Sequence, residues 1–465
     1  MRSTMLLALG LALCPAAIDA GEAPRKPNIV VILADDLGYG DLGFQGAKDI
    51  KTPHIDSIAR RGVRFTSGYV SAPYCSPTRA GLLTGRYQQR FGHEFNPALV
   101  RQGGTGQGLP AGERTIAELL RGAGYVTALI GKWHLGEDEA LQPQRRGFDE
   151  FYGFLAGAHS YVDADDKNYG PLLRCSKGEQ TLRAAGLPKD EEGYLTRTLA
   201  DEACAFIERH RKQPFFLYLA FNAVHTPMHA PKKTEAAFAG ENDATRRTYL
   251  AMLQEMDDAV GQVLARLRER NLEEDTLIFF LSDNGGPTTK FAPNGSRNGL
   301  LRGSKGDTWE GGIRVPFLIQ WKGKLPEGKT IDHPVIALDI LPTALAASGQ
   351  TKAATKLDGI DLLPMLKGPA ELKERALFWR FGTQMAIRKG DFVLVRPSMG
   401  KKEYEAIAAK PMLFDLAKDI GQQNDLSAER PELVAKMQAE WDRWNAEMIA
   451  PRWPATFKGA VFKTP

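Results

Sequence analysis

The sequence predicts an α/β protein: a large, mostly parallel (mixed) sheet sandwiched by helices, with a smaller C-terminal α+β domain. Three observations predict it. Short continuous apolar runs rich in β-branched and aromatic residues recur along the first 300 residues. Stretches with helical apolar spacing lie between them. The texture changes after a polar, proline-containing transition near residue 369. Strands alternating with helices favour parallel pairing, because each crossover brings the chain back to the same edge.

The elements follow in order. Residues Asn28–Ala34 (NIVVILA) read as a strand buried on both faces. Tyr125–Ile130, Phe215–Phe221 and Thr276–Leu281 have the same character. Thr115–Arg121, Leu195–Arg211 and Thr245–Arg270 carry apolar residues at spacings of three and four and read as helices. Beyond Pro364 and Pro369 come strand-like runs at Ala376–Trp379, Met385–Arg388 and Phe392–Val395, then an amphipathic helix over Pro431–Met448. The predicted organisation is a leader over 1–20, a large α/β domain over 21–369 and the smaller α+β domain over 370–465. The leader reading rests on Arg2, the apolar run Met5–Leu13 and small residues up to Ala20. That run is too short to span a bilayer and fits a secretory signal, so the protein is expected in the periplasm or outside the cell.

Composition excludes whole classes. With 465 residues, 43% hydrophobic and 25% charged, the chain is neither disordered nor a multi-span membrane protein. A net charge of +4 is too weak for a nucleic-acid binder. Removing the leader leaves Cys75, Cys175 and Cys204. If Cys175 and Cys204 pair in an oxidising compartment, Cys75 is left over.

Acidic and cationic residues sit just past the predicted strands, where α/β sheets collect ligands. Asp35-Asp36 follows the first strand and Asp283-Asn284-Gly285-Gly286 follows another. Two carboxylates ~4 Å apart repel by about 4 kcal/mol at an effective dielectric of 20. A shared proton or a cation must relieve that. Four hard oxygen donors suit Ca²⁺ or, less well, Mg²⁺, and not Zn²⁺. Cys75-Ser76-Pro77-Thr78-Arg79 places a cysteine at a helix start, with Pro77 in the first turn and Arg79 one turn along. By itself this is a setting for a reactive thiol or a bound anion. Lys132 and His134 in Gly131–Gly136, His225 before Thr226-Pro227, and Lys305 in a glycine-rich segment add cations and titratable rings.

These residues resemble the formylglycine-dependent sulfatases, the family of arylsulfatases and glycosaminoglycan sulfatases. Cys75-Ser76-Pro77-Thr78-Arg79 matches the family's C-x-P-x-R signature, and Gly124-Tyr125 through Gly131-Lys132-Trp133-His134 matches its second signature. Asp35-Asp36, Asp283-Asn284, His225 and Lys305 fall in the expected order, and the match runs from about Asn28 to the C-terminus. The resemblance implies that Cys75 is oxidised by a maturase to formylglycine, whose hydrate carries two hydroxyls. One attacks sulfur. The other later loses its proton and expels sulfate, a route closed to a serine ester. It further implies that Asp35, Asp36, Asp283 and Asn284 hold Ca²⁺ against residue 75. Arg79 and Lys132 would activate the diol, and His134 would take the proton in the release step. His225 and Lys305 would bind sulfate, one of them protonating the leaving oxygen.

The expected substrate is a sulfated carbohydrate, with His93, Asn96 and His159 as candidate sugar contacts at the entrance. The rival readings are an arylsulfatase of broad specificity, a phosphonate or phosphate ester hydrolase of the same superfamily, and a non-catalytic glycan-binding protein. Asn294-Gly295-Ser296 is a glycosylation acceptor wherever a host has that machinery.

Overall fold

In a computed structural model of the chain, the described residues are 25–188, 193–289, 293–350, 355–368, 374–397, 410–454, 456–457 and 460–461. The proposed leader and the boundary near residue 369 lie outside them.

The strands in chain order are β1 (Asn28–Ala34), β2 (Val63–Phe65), β3 (Gly68–Tyr69), β4 (Val126–Lys132), β5 (Glu150–Phe154), β6 (Leu173–Cys175), β7 (Arg183–Ala184), β8 (Phe215–Ala220), β9 (Thr276–Ser282), β10 (Phe317–Gln320), β11 (Lys329–Ile331), β12 (Val335–Ile336), β13 (Ala376–Phe381), β14 (Gln384–Lys389), β15 (Phe392–Arg396) and β16 (Met412–Asp415). Ten of them build one sheet in the order β11-β2-β10-β9-β1-β8-β4-β5-β6-β7. Its centre, β9-β1-β8-β4-β5, is parallel. The four sequence-predicted strands are therefore side by side at the middle of the sheet, with their carboxyl ends on one edge.

Burial on both faces explains the unbroken apolar runs. Along β1, Val30, Ile32 and Ala34 join one core while Ile29, Val31 and Leu33 join the other. Helix α1 (Pro53–Arg60) and the helices Leu195–His210 and Ala244–Glu269 cover the first face. Helices α2 (Cys75–Thr84), α3 (Ile116–Gly122) and the helix Ile340–Ala347 cover the second. Gly131 sits inside β4 at φ 114°, and a Cβ there would lie 1.9 Å from the Ala220 carbonyl oxygen. Only glycine lets β4 pass β8 at this point and deliver Lys132 to the sheet edge.

Strands β13 to β16 form a separate antiparallel meander, with Met437, Trp441 and Trp444 of the helix Pro431–Ala446 in its core. Strand β16 has no counterpart in the sequence reading. The meander docks on the large unit through polar anchors. Trp379 Nε1 donates to Val70 O at 2.7 Å. Arg380 donates to the fully buried Glu94 carboxylate at 2.6 and 2.8 Å. Beyond the helix, Ile449 N and Arg452 N donate to Gln89 O and Gly92 O, so the chain straps back across the segment after α2.

Cys75, Cys175 and Cys204 are all free thiols. The Cys175–Cys204 pairing that the sequence left open does not form, and each thiol is directed at carbonyls near it. Cys175 Sγ donates to Ser176 O and Glu179 O, and Cys204 Sγ to Gln262 O.

Candidate active site

Four neighbouring strands end at one crevice. Asp35 and Asp36 follow β1, Asp283 and Asn284 follow β9, Lys132 closes β4, and the turn carrying His225 follows β8. Helix α2 points its N-terminus into the same place, with Cys75 as its first residue and extended Tyr74 before it. Cys75 Sγ lies 3.7 Å from Asp35 Oδ1 and donates to it.

Three carboxylates face three cations in this crevice, all but removed from solvent. Lys132 Nζ is 2.5 Å from Asp35 Oδ2. Arg79 donates Nε and Nη2 to Asp283 Oδ2 at 3.1 and 2.8 Å, and Nη1 to Lys132 O at 3.1 Å. Lys305 Nζ sits 2.6 Å from Asp36 Oδ1. Asp283 Oδ1 accepts from Asp36 N at 3.2 Å, which ties the two strand ends together. Such burial of unlike charges is tolerable only because each has a partner.

The chemistry of each group follows from its neighbours. Burial works to raise the Asp35 carboxyl, but Lys132, His225 and Arg79 overcome it and hold the acid below its ordinary range. Burial lowers Lys305, and Asp36 more than reverses that, fixing a firmly protonated ammonium. Burial holds His134 well below its ordinary value, and Lys132 and Arg79 push it the same way, so its ring is neutral. Burial also lowers His225, opposed by Asp35 and Asp36. His225 Nδ1 donates to Thr226 O at 2.5 Å, which leaves Nε2, 3.5 Å from Asp36 Oδ2, as the atom free to carry or receive a proton. Burial pushes the Cys75 thiol up to about 12 against the pull of Lys132 and Lys305. The setting therefore does not make a reactive thiolate, contrary to what helix dipole and Arg79 alone suggest.

The donor set fits a hard divalent cation. Asp35, Asp36, Cys75 and His225 offer ligand atoms all within 4.8 Å of one another, the spread expected around one ion with bonds of about 2.4 Å. Asn284 Oδ1 is buried without a hydrogen-bond partner, while its Nδ2 donates to Asp36 Oδ1 at 2.7 Å. An orphaned buried oxygen beside two carboxylates is what an oxygen-loving ion satisfies.

Two of the functional candidates adopt left-handed backbone: Asp36 at φ 61° and His134 at φ 57°. Each such residue costs roughly 1–3 kcal/mol and persists only where its surroundings over-determine it.

Not every predicted residue reaches the crevice as expected. His93 is fully buried, with its ring edge on Trp453 at 4.8 Å and Nε2 2.6 Å from Ser76 Oγ. His159 is fully buried against Phe154 and donates Nδ1 to Ser160 O. Neither ring is available to a sugar at an entrance. Asn96 accepts from Ser76 N at 3.0 Å and so caps the start of α2. Asn294 is buried too, donating Nδ2 to Val224 O, which removes it as a glycosylation acceptor in the folded chain.

Sequence reasoning missed the supports. Tyr161 places its hydroxyl 2.7 Å from Asn222 O and 2.9 Å from His225 O, and Asn222 Nδ2 donates to His159 O. These contacts latch the loop 157–161 to the turn that carries His225. A tyrosine in a polar loop gave no signal of that role.

Comparison with known proteins adds to this geometry. Residues 27–350 match the family model described as Sulfatase. The chain is 34% identical to steryl-sulfatase of Mus musculus over 505 aligned positions, covering 88% of this chain and 80% of that protein. It is 35% identical to N-acetylgalactosamine-6-sulfatase of Canis lupus familiaris, covering 82% and 74%. The crystal structure of Ps i-CgsB in complex with k-i-k-neocarrahexaose superposes with a TM-score of 0.80 at 34% identity, covering 92% of this chain and 95% of that one.

Proposed function

The chain belongs to the sulfatase family of sulfuric ester hydrolases, and from that premise we propose that it removes sulfate from a sulfated carbohydrate, using a formylglycine made from Cys75 and a bound Ca²⁺. The observation that carries the reading is the meeting of Cys75, the Asp35, Asp36, Asp283 and Asn284 oxygens, and the Arg79, Lys132 and Lys305 cations at one strand-end crevice. Ca²⁺ held by the four oxygens would supply positive charge for a sulfate oxygen. The formylglycine hydrate would supply one hydroxyl to attack sulfur and a second through which sulfate leaves.

The chain's own residues do the rest. Lys132 and Arg79, locked on Asp35 and Asp283, present fixed positive charge beside position 75. Preorganised charge of this kind is typically worth ~10²–10³ in rate per donor. His134, neutral and buried, is suited to accept a proton. His225 and Lys305 face Asp36 together, and their chemistry divides the work between them. Lys305 is held too firmly protonated by Asp36 to give up its proton, so it binds the anion. His225, with Nε2 turned to the crevice, would protonate the leaving oxygen as the imidazolium, the form that neighbouring Asp35 and Asp36 favour against burial.

The sugar assignment is supported by the segments flanking His134. Residues 97–108 and 157–170 carry Arg101, Gln107, Asp163, Asp166 and Lys167, and Arg101 joins the two by donating to Lys167 O. A polar rim suits a hydroxylated substrate. N-acetylgalactosamine-6-sulfatase and Ps i-CgsB in complex with k-i-k-neocarrahexaose, both similar to this chain, support the same reading. Export is proposed from the apolar run Met5–Leu13.

The test uses protein produced in a host with a maturase. Peptide mass reports conversion of Cys75, and free sulfate is measured from defined sulfated sugars, aryl sulfates and matched phosphate esters. Release from sulfated sugars by converted enzyme is expected. Release from aryl esters alone ends the carbohydrate assignment. Faster phosphate turnover makes the protein a phosphate ester hydrolase.

A further inference from the structure

His134 is oriented in an unusual way. A catalytic base is ordinarily aimed by a third group bonded to its second nitrogen. His134 Nδ1 is buried and has no partner. Its main chain is held instead. His134 N donates to Leu155 O at 3.0 Å, and His134 O accepts from Ser76 Oγ at 2.6 Å. These bonds fix a histidine whose φ is 57°.

Proton counting fixes the rest of the chain of bonds. A serine hydroxyl has one proton, and a carbonyl can only accept. Ser76 gives that proton to His134 O. The 2.6 Å contact between Ser76 Oγ and His93 Nε2 must then be an N–H donated by His93. Burial drives His93 down to about 3, which keeps this ring neutral at any working pH. The His93 ring is braced by Trp453, whose Nε1 donates to Phe95 O and Asn96 O at 3.2 and 3.1 Å. Asn96 in turn accepts from Ser76 N.

Resting on the catalytic reading above, we infer that Ser76 and His93 form a positioning relay that locks the backbone of His134 to the helix start bearing Cys75, with Trp453 as its outer brace. Ser76 is the chain neighbour of the residue that becomes the nucleophile. One hydroxyl therefore sets the distance between nucleophile and base. The relay also explains why the C-terminal strap is laid across the segment after α2. His93, Ser76 and Trp453 are positioning residues, and none touches the reacting atoms.

The experiment compares His93→Phe, His93→Gln and Ser76→Ala with wild type, with kcat and KM expressed per molecule converted at position 75. Conversion is read from peptide mass, because Ser76 lies inside the C-x-P-x-R signature. Displacing a catalytic group by about 1 Å can cost on the order of 100-fold. His93→Phe and Ser76→Ala are expected to lower kcat by roughly 10- to 100-fold. Since His134 serves the release step, KM should fall with kcat and leave kcat/KM close to wild type. His93→Gln keeps an N–H at similar reach and should recover most of the loss. Variants that melt earlier but keep wild-type kcat and KM per converted molecule overturn the relay. So does a fall in kcat/KM as large as that in kcat, which marks general distortion of the crevice. Wild-type protein that is converted yet inactive on every sulfate ester defeats the functional reading, and the relay with it.

Discussion

Gly157→Ala isolates the placement of one ring. Gly157 is half-buried beside His134 and its φ lies outside the left-handed region, so alanine meets no backbone penalty. The obstacle is steric. A Cβ at 157 would lie 2.7 Å from His134 Cε1 and Nε2 and 3.3 Å from Cδ2. Carbon contacts are comfortable at about 3.5 Å and above, so the ring must retreat by roughly 0.8 Å. The main chain of His134 is pinned at both N and O, so the retreat has to come from side-chain torsion. A ~30° departure from a rotamer costs about 0.5–1.5 kcal/mol, which the fold absorbs easily. Catalysis is less tolerant. A displacement near 1 Å predicts a loss of up to about 100-fold, or roughly 2.7 kcal/mol of barrier. The assay is steady-state hydrolysis of a chromogenic aryl sulfate, per converted molecule, with melting temperature alongside. Gly112→Ala is the control, since a Cβ there meets nothing within 4 Å. If Gly157→Ala keeps wild-type kcat while the control behaves normally, the ring is not required where the structure puts it, and the assignment of His134 as the base is refuted.

Three further outcomes are expected. Chelation of divalent cations should abolish turnover while moving the melting temperature by only a few degrees, because Lys132, Arg79 and Lys305 already balance the three carboxylates; calorimetry with and without chelator measures both, and unfolding on chelation would contradict this. Arg79→Lys should lower kcat by about 100-fold or more, since a lysine cannot span Asp283 and Lys132 O as the buried fork does; kinetics on converted protein decide it. Away from the crevice, burial raises the Asp257 carboxyl to about 6. The folded state therefore holds its proton more tightly than the unfolded chain, and this contribution to stability is present at low pH and lost as pH rises toward 6. Asp257→Asn, still an acceptor for the Ile55 N–H that opens α1, should gain on wild type by about 3 kcal/mol between pH 4 and 7 in denaturant melts; a gap that does not change with pH would show that Asp257 titrates normally.

The sequence carried the four central strands of the ten-stranded sheet and the acidic and cationic residues, and little of how they pair. An apolar run such as Asn28–Ala34 can be buried on both faces only as a central strand, and that inference needs no partner. The helix at Cys75 is equally local, since Pro77 and the small residues after it determine it. The residues at the strand ends were legible because a crevice of this fold class must lie there. Which side chain meets which was not legible. Lys132 engages Asp35 and Lys305 engages Asp36 across 97 and 269 residues of chain. His93, Asn96 and His159 show the limit most clearly. Polar residues after a catalytic helix read equally well as substrate contacts or as supports, and only their burial and partners separate the two. Periodicity and turn chemistry act over a few neighbours and so are written in sequence. The strand order β9-β1-β8-β4 is a property of the whole packed sheet. It alone decided that four separate strand ends, a helix start and a C-terminal strap would enclose the same few ångströms.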